Sequence, residues 1–262
     1  MLSESFICTT CGTGYAPSTQ PPSACPVCED ERQYVNPMGQ SWTTLRQINR
    51  THKNIIDKID TGLYALYTTP SLAIGQRAYL LKTPQGNILW DCIANLDAIT
   101  IELINELGGI QKIAISHPHY YTTMAEWSHA FGAPVYIHQR DADWIPRRDF
   151  NLQLWEGLKT ELLPGATLIN SAGHFDGGTI LHYDRILLVG DIIQVSPNLK
   201  TASFMYSYPN YIPLDKKSIL HIRSSLAGVP FEAMYGAFGK AITRQARKAF
   251  DDSIARYLRV FE

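Results

Sequence analysis

The sequence predicts an α/β protein, and two features of the middle of the chain carry this prediction. A segment with helical periodicity, residues 95–107, lies between two short apolar runs, NILWDC at 87–92 and IQKIAI at 110–115. A strand, a helix and a strand within about 30 residues form a right-handed crossover unit, so these two strands are expected to be parallel. Several apolar runs also end in histidine or aspartate, and open α/β folds place their functional sites at such strand ends.

The composition is that of a globular protein with one sizeable core and a small appendage. Of the 262 residues, 45% are hydrophobic and 18% are charged, and the formal net charge is -1. This balance favours neither nucleic acid nor a membrane surface as a partner, so partners must be inferred from local motifs. The small-molecule substrate that we expect follows from the resemblance described below. The start, MLSESFICTTCG, lacks the pattern of an export signal, and no apolar stretch approaches the ~18 residues of a membrane span. We therefore expect a cytoplasmic protein, with its oligomeric state left open.

Four of the five cysteines form two CxxC pairs near the N-terminus, which predicts a tetrahedral thiolate metal site. Cys8 and Cys11 make the first pair, and Cys25 and Cys28 make the second. Two tight turns of this kind present four sulfurs to one ion. Zinc is the expected structural ion, iron is the alternative ion, and two disulfides are the alternative without metal. A segment this small has almost no core and is expected to fold only around its ion.

These cysteines also suggest how the chain divides. The segment from Cys8 to Val35 resembles zinc-ribbon and rubredoxin-like knuckles, so residues 1–36 are predicted to form a four-cysteine module. The mostly polar residues 37–61 are predicted to be a linker, and residues 62–262 the main domain. Early strands of the main domain are predicted at LYALYTT (63–69), RAYLLKT (77–83) and NILWDC, with PQG at 84–86 as a hairpin turn.

Capping residues and periodicity predict three helices. Asn95 is the predicted N-cap of the first helix, and Gly108-Gly109 is its predicted end. The second helix is predicted to begin at Thr123, because Thr123 and Glu126 have the spacing of a capping box. A third, amphipathic helix is predicted over 241–261. The apolar face of the first helix is predicted to comprise Leu96, Ile99, Leu103 and Leu107.

The predicted functional site is built on SHPHYYTT, residues 116–123, directly after the IQKIAI strand. In an extended segment, the side chains of His117 and His119 project to the same side. His174 lies in the glycine-rich AGHFDGGT, and Asp191 follows the apolar run RILLVG. Three imidazoles and a carboxylate form a reasonable ligand set for zinc or another divalent first-row metal.

The order of these motifs resembles the metallo-β-lactamase superfamily, whose pattern is H-x-H-x-D-H after a strand, a G-H motif, a strand ending in G-D, and a last histidine. The resemblance implies an αββα sandwich with a small N-terminal zinc ribbon. It assigns His117, His119 and His174 to the first metal position and Asp191 to the residue that bridges to the second. This chain has Tyr121 and Thr122 where the family has aspartate and histidine, and no histidine near YGAFGK at 235–240. A two-metal site is therefore not expected.

The resemblance implies a zinc-dependent hydrolase in which one ion activates water against an ester, thioester, amide or lactam. Asp191 is expected to be a fourth ligand or the base that orients the nucleophile. Tyr121 is a candidate for a direct catalytic role beside the second metal position, with packing as its alternative. For the whole protein, the alternatives are a catalytically inactive binding or regulatory protein on this scaffold, an electron-transfer protein of the flavodiiron kind, and a nuclease.

Other positions carry simpler expectations. Asp91 stands where the resemblance implies an aspartate that supports the ligands, and Cys92 is expected to be a small buried residue. His138 is expected at the surface, as is the arginine pair 147–148, for which the wall of an anion pocket is the alternative. The loop at 204–214 is expected to hold a planar substrate or to cover the sheet edge with three aromatic side chains, Tyr206, Tyr208 and Tyr211.

Overall fold

Residues 3–262 are described by the computed structural model of this chain. They divide into two units. The first unit comprises the described residues up to Ile137 together with Ala142–Leu154, and the second comprises His138–Asp141 together with Trp155–Glu262. The sequence led us to expect three segments, a module, a linker and a main domain, and this division into two units differs from them. That the three segments form separate domains stays a prediction.

The four N-terminal cysteines lie in a small module at the start of the first unit. Strand β1 (Ile7–Cys8) and strand β2 (Trp42–Thr43) pair in antiparallel fashion, and helix α1 (Pro26–Glu29) is a single turn between them. Pro26 begins this turn, as is common at the first position of a helix. All four cysteine side chains are buried here, so the module has a core made largely of sulfur.

A seven-stranded sheet follows, with its strands in chain order from β3 to β9. The first four strands form an antiparallel meander, and the pairs β6–β7 and β7–β8 are parallel, which confirms the predicted crossover. The strands are β3 (Lys53–Asp60), β4 (Leu63–Thr69), β5 (Ala78–Thr83), β6 (Gly86–Trp90), β7 (Lys112–Ala114), β8 (Val135–His138) and β9 (Leu152–Trp155). The helices of this unit are α2 (Leu45–Thr51), α3 (Ala98–Glu106) and α4 (Met124–Phe131).

The segment expected to be a linker contains regular structure. Helix α2 and strand β3 lie within residues 37–61, and β3 pairs with β4 along its whole length. β3 is an edge strand with mostly exposed Lys and Asp side chains. Charged residues are typical of edge strands because they oppose pairing with other chains, and they gave this strand the appearance of a polar linker.

Three details of the predicted helices differ from the structure. Asp97 caps α3 by accepting a hydrogen bond from Thr100 N at 2.7 Å, whereas Asn95 donates its side-chain amide to Asn54. The buried face of α3 carries Thr100 and Ile104, while Ile99 and Leu103 are 61% and 49% exposed. Thr123 precedes α4 without making a side-chain cap bond. In each case, residues distant in the chain determine the contacts of the helix: Asn95 bonds to Asn54, and Thr123 bonds to Ile93 O.

The second unit contains a six-stranded sheet with the order β10-β11-β12-β13-β18-β19. Its strands are β10 (Lys159–Leu163), β11 (Ala166–Asn170), β12 (Thr179–Tyr183), β13 (Ile186–Leu188), β18 (Ala233–Tyr235) and β19 (Ala241–Ile242). Two short pairs lie outside it, β14 (Gln194–Val195) with β15 (Ala202–Ser203), and β16 (Met205–Ser207) with β17 (Ile212–Pro213).

Two helices, α5 (Lys216–Ser225) and α6 (Ala246–Leu258), pack on the core of this unit through Ile219, Phe250 and Ile254. The C-terminal helix is shorter than predicted, because Ala241–Ile242 pairs with β18 as strand β19. Within residues 3–262, no helix has both the length and the apolar character needed to cross a bilayer.

Candidate metal sites

The loop that carries the first two histidines begins at a turn held by one buried carboxylate. The Asp91 side chain accepts a hydrogen bond from Ser116 N at 2.7 Å, and the Asp91 N–H donates to Ala114 O at 2.9 Å. Asp91 is 1% exposed and has a φ of +61°, a left-handed conformation that aspartate adopts more readily than most residues. Asp91 therefore supports the backbone immediately before His117.

His117 and His119 lie side by side on this loop, with ring centroids 5.1 Å apart. The connection between them is not extended as predicted, because Pro118–Tyr120 form a 3-10 turn. Proline is preorganised for the first position of such a turn. The Tyr120 ring packs edge-on against His117 at 4.9 Å between centroids, and all three aromatic rings are buried. The two imidazoles thus converge through a tight turn rather than along a strand.

The surroundings of His117 keep its imidazole neutral. Burial lowers the pKa of His117 to about 3, and the positive charge of Arg32 contributes in the same direction. The His117 Nδ1 atom lies 3.1 Å from Ser116 Oγ. The hydrogen bond at one ring nitrogen sets the role of the other, and the neutral form of imidazole is the one that binds metals.

His174 lies on a tight loop between β11 and β12 that depends on glycine. A Cβ atom at Gly178 would lie 2.0 Å from Ala172 O, closer than any side chain allows. Gly177 N donates to Asp141 Oδ1 at 2.7 Å, and a Cβ at Gly177 would collide with the same carboxylate. Asp141 therefore holds the loop next to His174, a role that no sequence signal marks.

Asp191 follows β13, and its Oδ1 atom lies 3.7 Å from His174 Nε2. The Tyr208 hydroxyl donates to Asp191 O at 3.0 Å and to Ser203 O at 3.3 Å, and the Tyr208 ring lies edge-on to His174. Burial raises the pKa of Tyr208 well above its ordinary value, with a smaller contribution from Asp191. The Tyr208 hydroxyl therefore holds the backbone of the segment that contains Asp191 by a hydrogen bond.

The four residues predicted from separate segments come together. One nitrogen or oxygen atom from each of His117, His119, His174 and Asp191 lies within 4.8 Å of the others, and all four residues are buried. Buried imidazoles and carboxylates at this spacing fit one divalent cation, since zinc binds such donors at ~2.0–2.2 Å. The structure thus establishes the cluster, while the role of each residue as a ligand stays a prediction.

The second cluster consists of the four N-terminal cysteines, whose sulfurs also lie within 4.8 Å of one another. Cys8 Sγ is 3.5 Å from Cys28 Sγ, and Cys11 Sγ is 3.6 Å from Cys25 Sγ. A tetrahedral ion with metal–sulfur bonds of ~2.3 Å requires sulfurs roughly 3.8 Å apart, so the arrangement fits a metal-binding knuckle. The cysteines are not joined by disulfides.

Polar groups around these sulfurs favour thiolates. Tyr15 Oη donates to Cys25 Sγ at 3.2 Å, and the side-chain amide of Gln40 donates to Cys8 Sγ at 3.2 Å. Hydrogen bonding by the Cys11 side chain is the main cause that lowers the pKa of both Cys8 and Cys25, whereas hydrogen bonding by Cys25 raises the pKa of Cys11 and Cys28. A metal ligand must be deprotonated, so two thiols of the set are predisposed to bind an ion.

Tyr121 and Thr122 take the positions where the family resemblance implies an aspartate and a histidine. Both side chains are buried, and Thr122 has a φ of +29°. Tyr121 follows the 3-10 turn directly. Its placement next to the histidines agrees with its candidacy for a catalytic role, which stays a prediction.

The expected surface position is wrong for His138 and Arg147 and right for Arg148, which is exposed. His138 is 3% exposed, and its Nε2 atom lies 3.1 Å from Gly157 O. The His138 ring is edge-on to Trp155. Arg147 is 8% exposed and makes short bonds to Glu126 Oε1 and Asp149 Oδ2, both at 2.6 Å. The sequence did not predict these ion pairs of Arg147, because its partner Glu126 lies 21 residues earlier in the chain.

Comparisons with known proteins identify the fold. No protein-family model matches the chain. The structure of TMB-1 superimposes with a TM-score of 0.62 at 11% identity, covering 80% of this chain and 99% of that one. The mono-zinc form of the metallo-β-lactamase FIM-1 from Pseudomonas aeruginosa gives a TM-score of 0.58 at 14% identity, covering 78% of this chain and 96% of that one. The predicted fold class is confirmed, and this is a metallo-β-lactamase-fold protein with an additional four-cysteine knuckle.

A closer relationship is found in sequence. The chain belongs to the family of a Bacillus subtilis (strain 168) protein described as "Uncharacterized protein YmaE". The two sequences are 44% identical in an alignment 262 positions long. This alignment covers 97% of this chain and 96% of the relative.

Proposed function

We propose that this protein is a metal-dependent hydrolase that uses a single-ion site formed by His117, His119, His174 and Asp191. The observation that supports the proposal is the convergence of their donor atoms within 4.8 Å. A divalent ion held there would supply Lewis acidity and lower the pKa of water towards ~7. The substrate class we propose is a small molecule with an ester, thioester, amide or lactam carbonyl.

The residues of the site have distinct parts in this proposal. His117, His119 and His174 supply three nitrogen donors, which leave room for a further ligand. Asp191 completes the donor set or accepts a proton from the nucleophile, since its carboxylate is within 3.7 Å of the His174 ring. Tyr121, buried two residues after His119, is the residue we propose to donate a proton or bind an anion.

Metal titration tests the site before any substrate is known. We expect the full chain to bind two equivalents of Zn²⁺, one at the cysteines and one at the histidines, and the His117→Ala variant to bind one. His129→Ala is a suitable control, because His129 is exposed and its ring bonds to the backbone of Asp149. A single equivalent in both the wild type and His117→Ala would contradict the proposal.

Activity is tested on a panel of esters, thioesters, amides and lactams, with a phosphodiester included. We expect the protein carrying both ions to hydrolyse at least one carbonyl substrate and His117→Ala to lose that activity. If two ions bind and no substrate is cleaved, the result favours the alternative of an inactive binding or regulatory protein. The observation that favours this alternative is that buried Tyr121 and Thr122 replace two residues of the family pattern.

The remaining proposals concern the ions and the compartment. We propose zinc for both sites, with iron as the alternative in the four-cysteine module, which a coloured preparation would reveal. Four clustered cysteines without disulfides suit a reducing environment, so we propose a cytoplasmic location. The near-neutral charge supports a partner other than nucleic acid or membrane.

A further inference from the structure

The four-cysteine module touches the histidine loop directly. Gly14 N donates a hydrogen bond to Thr122 O at 2.8 Å, and Thr122 lies three residues after His119. A Cβ at Gly14 would lie 3.2 Å from Thr122 O and 3.6 Å from Thr123 Cγ2. A side chain at Gly14 would therefore press on the Thr122 carbonyl, which would have to move by a few tenths of an ångström.

A second set of contacts joins the module to the segment that anchors the loop. Thr123 Oγ1 donates to Ile93 O at 3.1 Å, and Trp127 Nε1 donates to the same oxygen at 3.0 Å. In the module, Gly12 packs against the next residue of this segment so closely that a Cβ there would lie 3.0 Å from Ala94 Cβ. The far end of the histidine loop is thus held between helix α4 and the module.

Two polar side chains outside the module strengthen its attachment. Gln76 Nε2 donates to Cys11 O at 3.3 Å in a buried position. Arg147 Nη1 contacts Ser5 Oγ at 3.1 Å and also bonds to Glu126 of α4. The bond from Gln76 joins the module to the segment between β4 and β5. The bonds from Arg147 join the N-terminal residues to helix α4, which begins directly after the histidine loop.

We infer that the four-cysteine module positions the histidine loop, so that the thiolate-bound ion indirectly maintains the geometry of the second metal site. Asp91 holds the start of the loop and the module holds its end at Thr122. Fixing both ends restricts the backbone between them, which carries His117 and His119. The consequence for metal affinity rests on the proposed function, whereas the effect on the loop does not.

Hydrogen exchange tests the effect on the loop. The Gly14→Val variant keeps all four cysteines but adds a branched side chain at the contact with Thr122, and Gln76→Leu removes the bond to Cys11 O from outside the module. We expect the amides of His117 and of residues 119–123 to exchange roughly 10-fold faster in both variants, since local protection reflects local stability. The control is Ala16→Val, which enlarges an exposed residue of the same segment and should leave exchange unchanged.

The ion content of the same variants completes the test. We expect both to retain the cysteine-bound ion and to bind the second ion roughly 10-fold more weakly, as is typical when support of a ligand is lost. Wild-type exchange in both variants would overturn the inference. Loss of the cysteine-bound ion with unchanged exchange in the histidine loop would also overturn it, because the loop would then not depend on the module. A wild type that binds no second ion would contradict the proposed function, and exchange would still decide this inference.

Discussion

At the scale of single residues, the two candidate ligands of the first loop depend on a side chain that lies outside the loop. Asp91 accepts a hydrogen bond from Ser116 N in a buried position and adopts a left-handed backbone conformation. An unsatisfied buried N–H group costs about 1–3 kcal/mol. The backbone position of the histidine pair is therefore fixed at Ser116, the residue before His117. The group that fixes it is the Asp91 carboxylate, which follows strand β6.

Replacing Asp91 tests this dependence. We expect Asp91→Ala to lower the free energy of unfolding by about 1–3 kcal/mol and to weaken Zn²⁺ binding at the histidines by roughly 10-fold or more. Asp91→Asn keeps an acceptor oxygen and tolerates the same φ, so it should remain near the wild type in both measurements. Equal losses in the two variants would show that the negative charge, rather than the hydrogen bond, matters.

Tyr208 is the corresponding residue beside Asp191. Removing its hydroxyl in Tyr208→Phe deletes the donor to Asp191 O and Ser203 O, so we expect a loss of about 1 kcal/mol in unfolding free energy and weaker binding of the second ion. Tyr211→Phe is the matched control, because Tyr211 is 85% exposed and its change should stay within about 0.5 kcal/mol. Identical ion affinities in the two variants would assign Tyr208 to packing alone.

At the scale of elements, two of the longer helices are capped by aspartate, Asp97 before α3 and Asp215 before α5. Asp215 accepts a hydrogen bond from Ser218 N at 2.9 Å. This bond lowers the pKa of Asp215, and the charge of Lys217 contributes in the same direction. Because the folded pKa is below the unfolded one, the stabilisation is present above the ordinary pKa of ~3.9 and is lost as pH falls through the lowered folded value.

Two variants at Asp215 separate the cap from its titration. Asp215→Ala should lose about 1 kcal/mol of unfolding free energy at pH 7, the usual cost of removing an N-cap. Asp215→Asn keeps an acceptor and should be close to the wild type at pH 7, but it should lose less stability than the wild type as the pH falls through and below the ordinary carboxyl pKa of ~3.9. Parallel pH profiles for the wild type and Asp215→Asn, from denaturant unfolding, would contradict the assigned pKa shift.

At the scale of the whole molecule, the five thiols should fall into two classes. Four belong to the four-cysteine module, and the fifth, Cys92, is fully buried, with a pKa that burial raises well above its ordinary value. In the native protein with its ion we expect no rapid reaction with a thiol reagent. A chelator should expose four thiols, and Cys92 should react only on unfolding. Rapid reaction of a thiol in the native protein with its ion would contradict this assignment.

The helices and strands show where sequence reasoning is sufficient and where it is not. The hairpin at 84–86 and the parallel crossover into IQKIAI are confirmed, because turn residues and apolar runs act locally. Residues 37–61, predicted to be a linker, contain helix α2 and strand β3, because an edge strand with charged residues resembles a loop in sequence. The predicted face of α3 was wrong because Thr100 and Ile104 are selected by their neighbours in the fold.

The sequence by itself identified both clusters of candidate metal ligands, since CxxC pairs and histidines at strand ends indicate their chemistry through residue type and spacing. Only the tertiary structure decided how these ligands are supported. Asp91, Asp141 and Tyr208 act on backbone atoms of the segments that carry the ligands, and Gly14 acts through the absence of a side chain. Such hydrogen bonds and close approaches join residues distant in the chain and leave no periodic pattern, so they are visible only after the chain has folded.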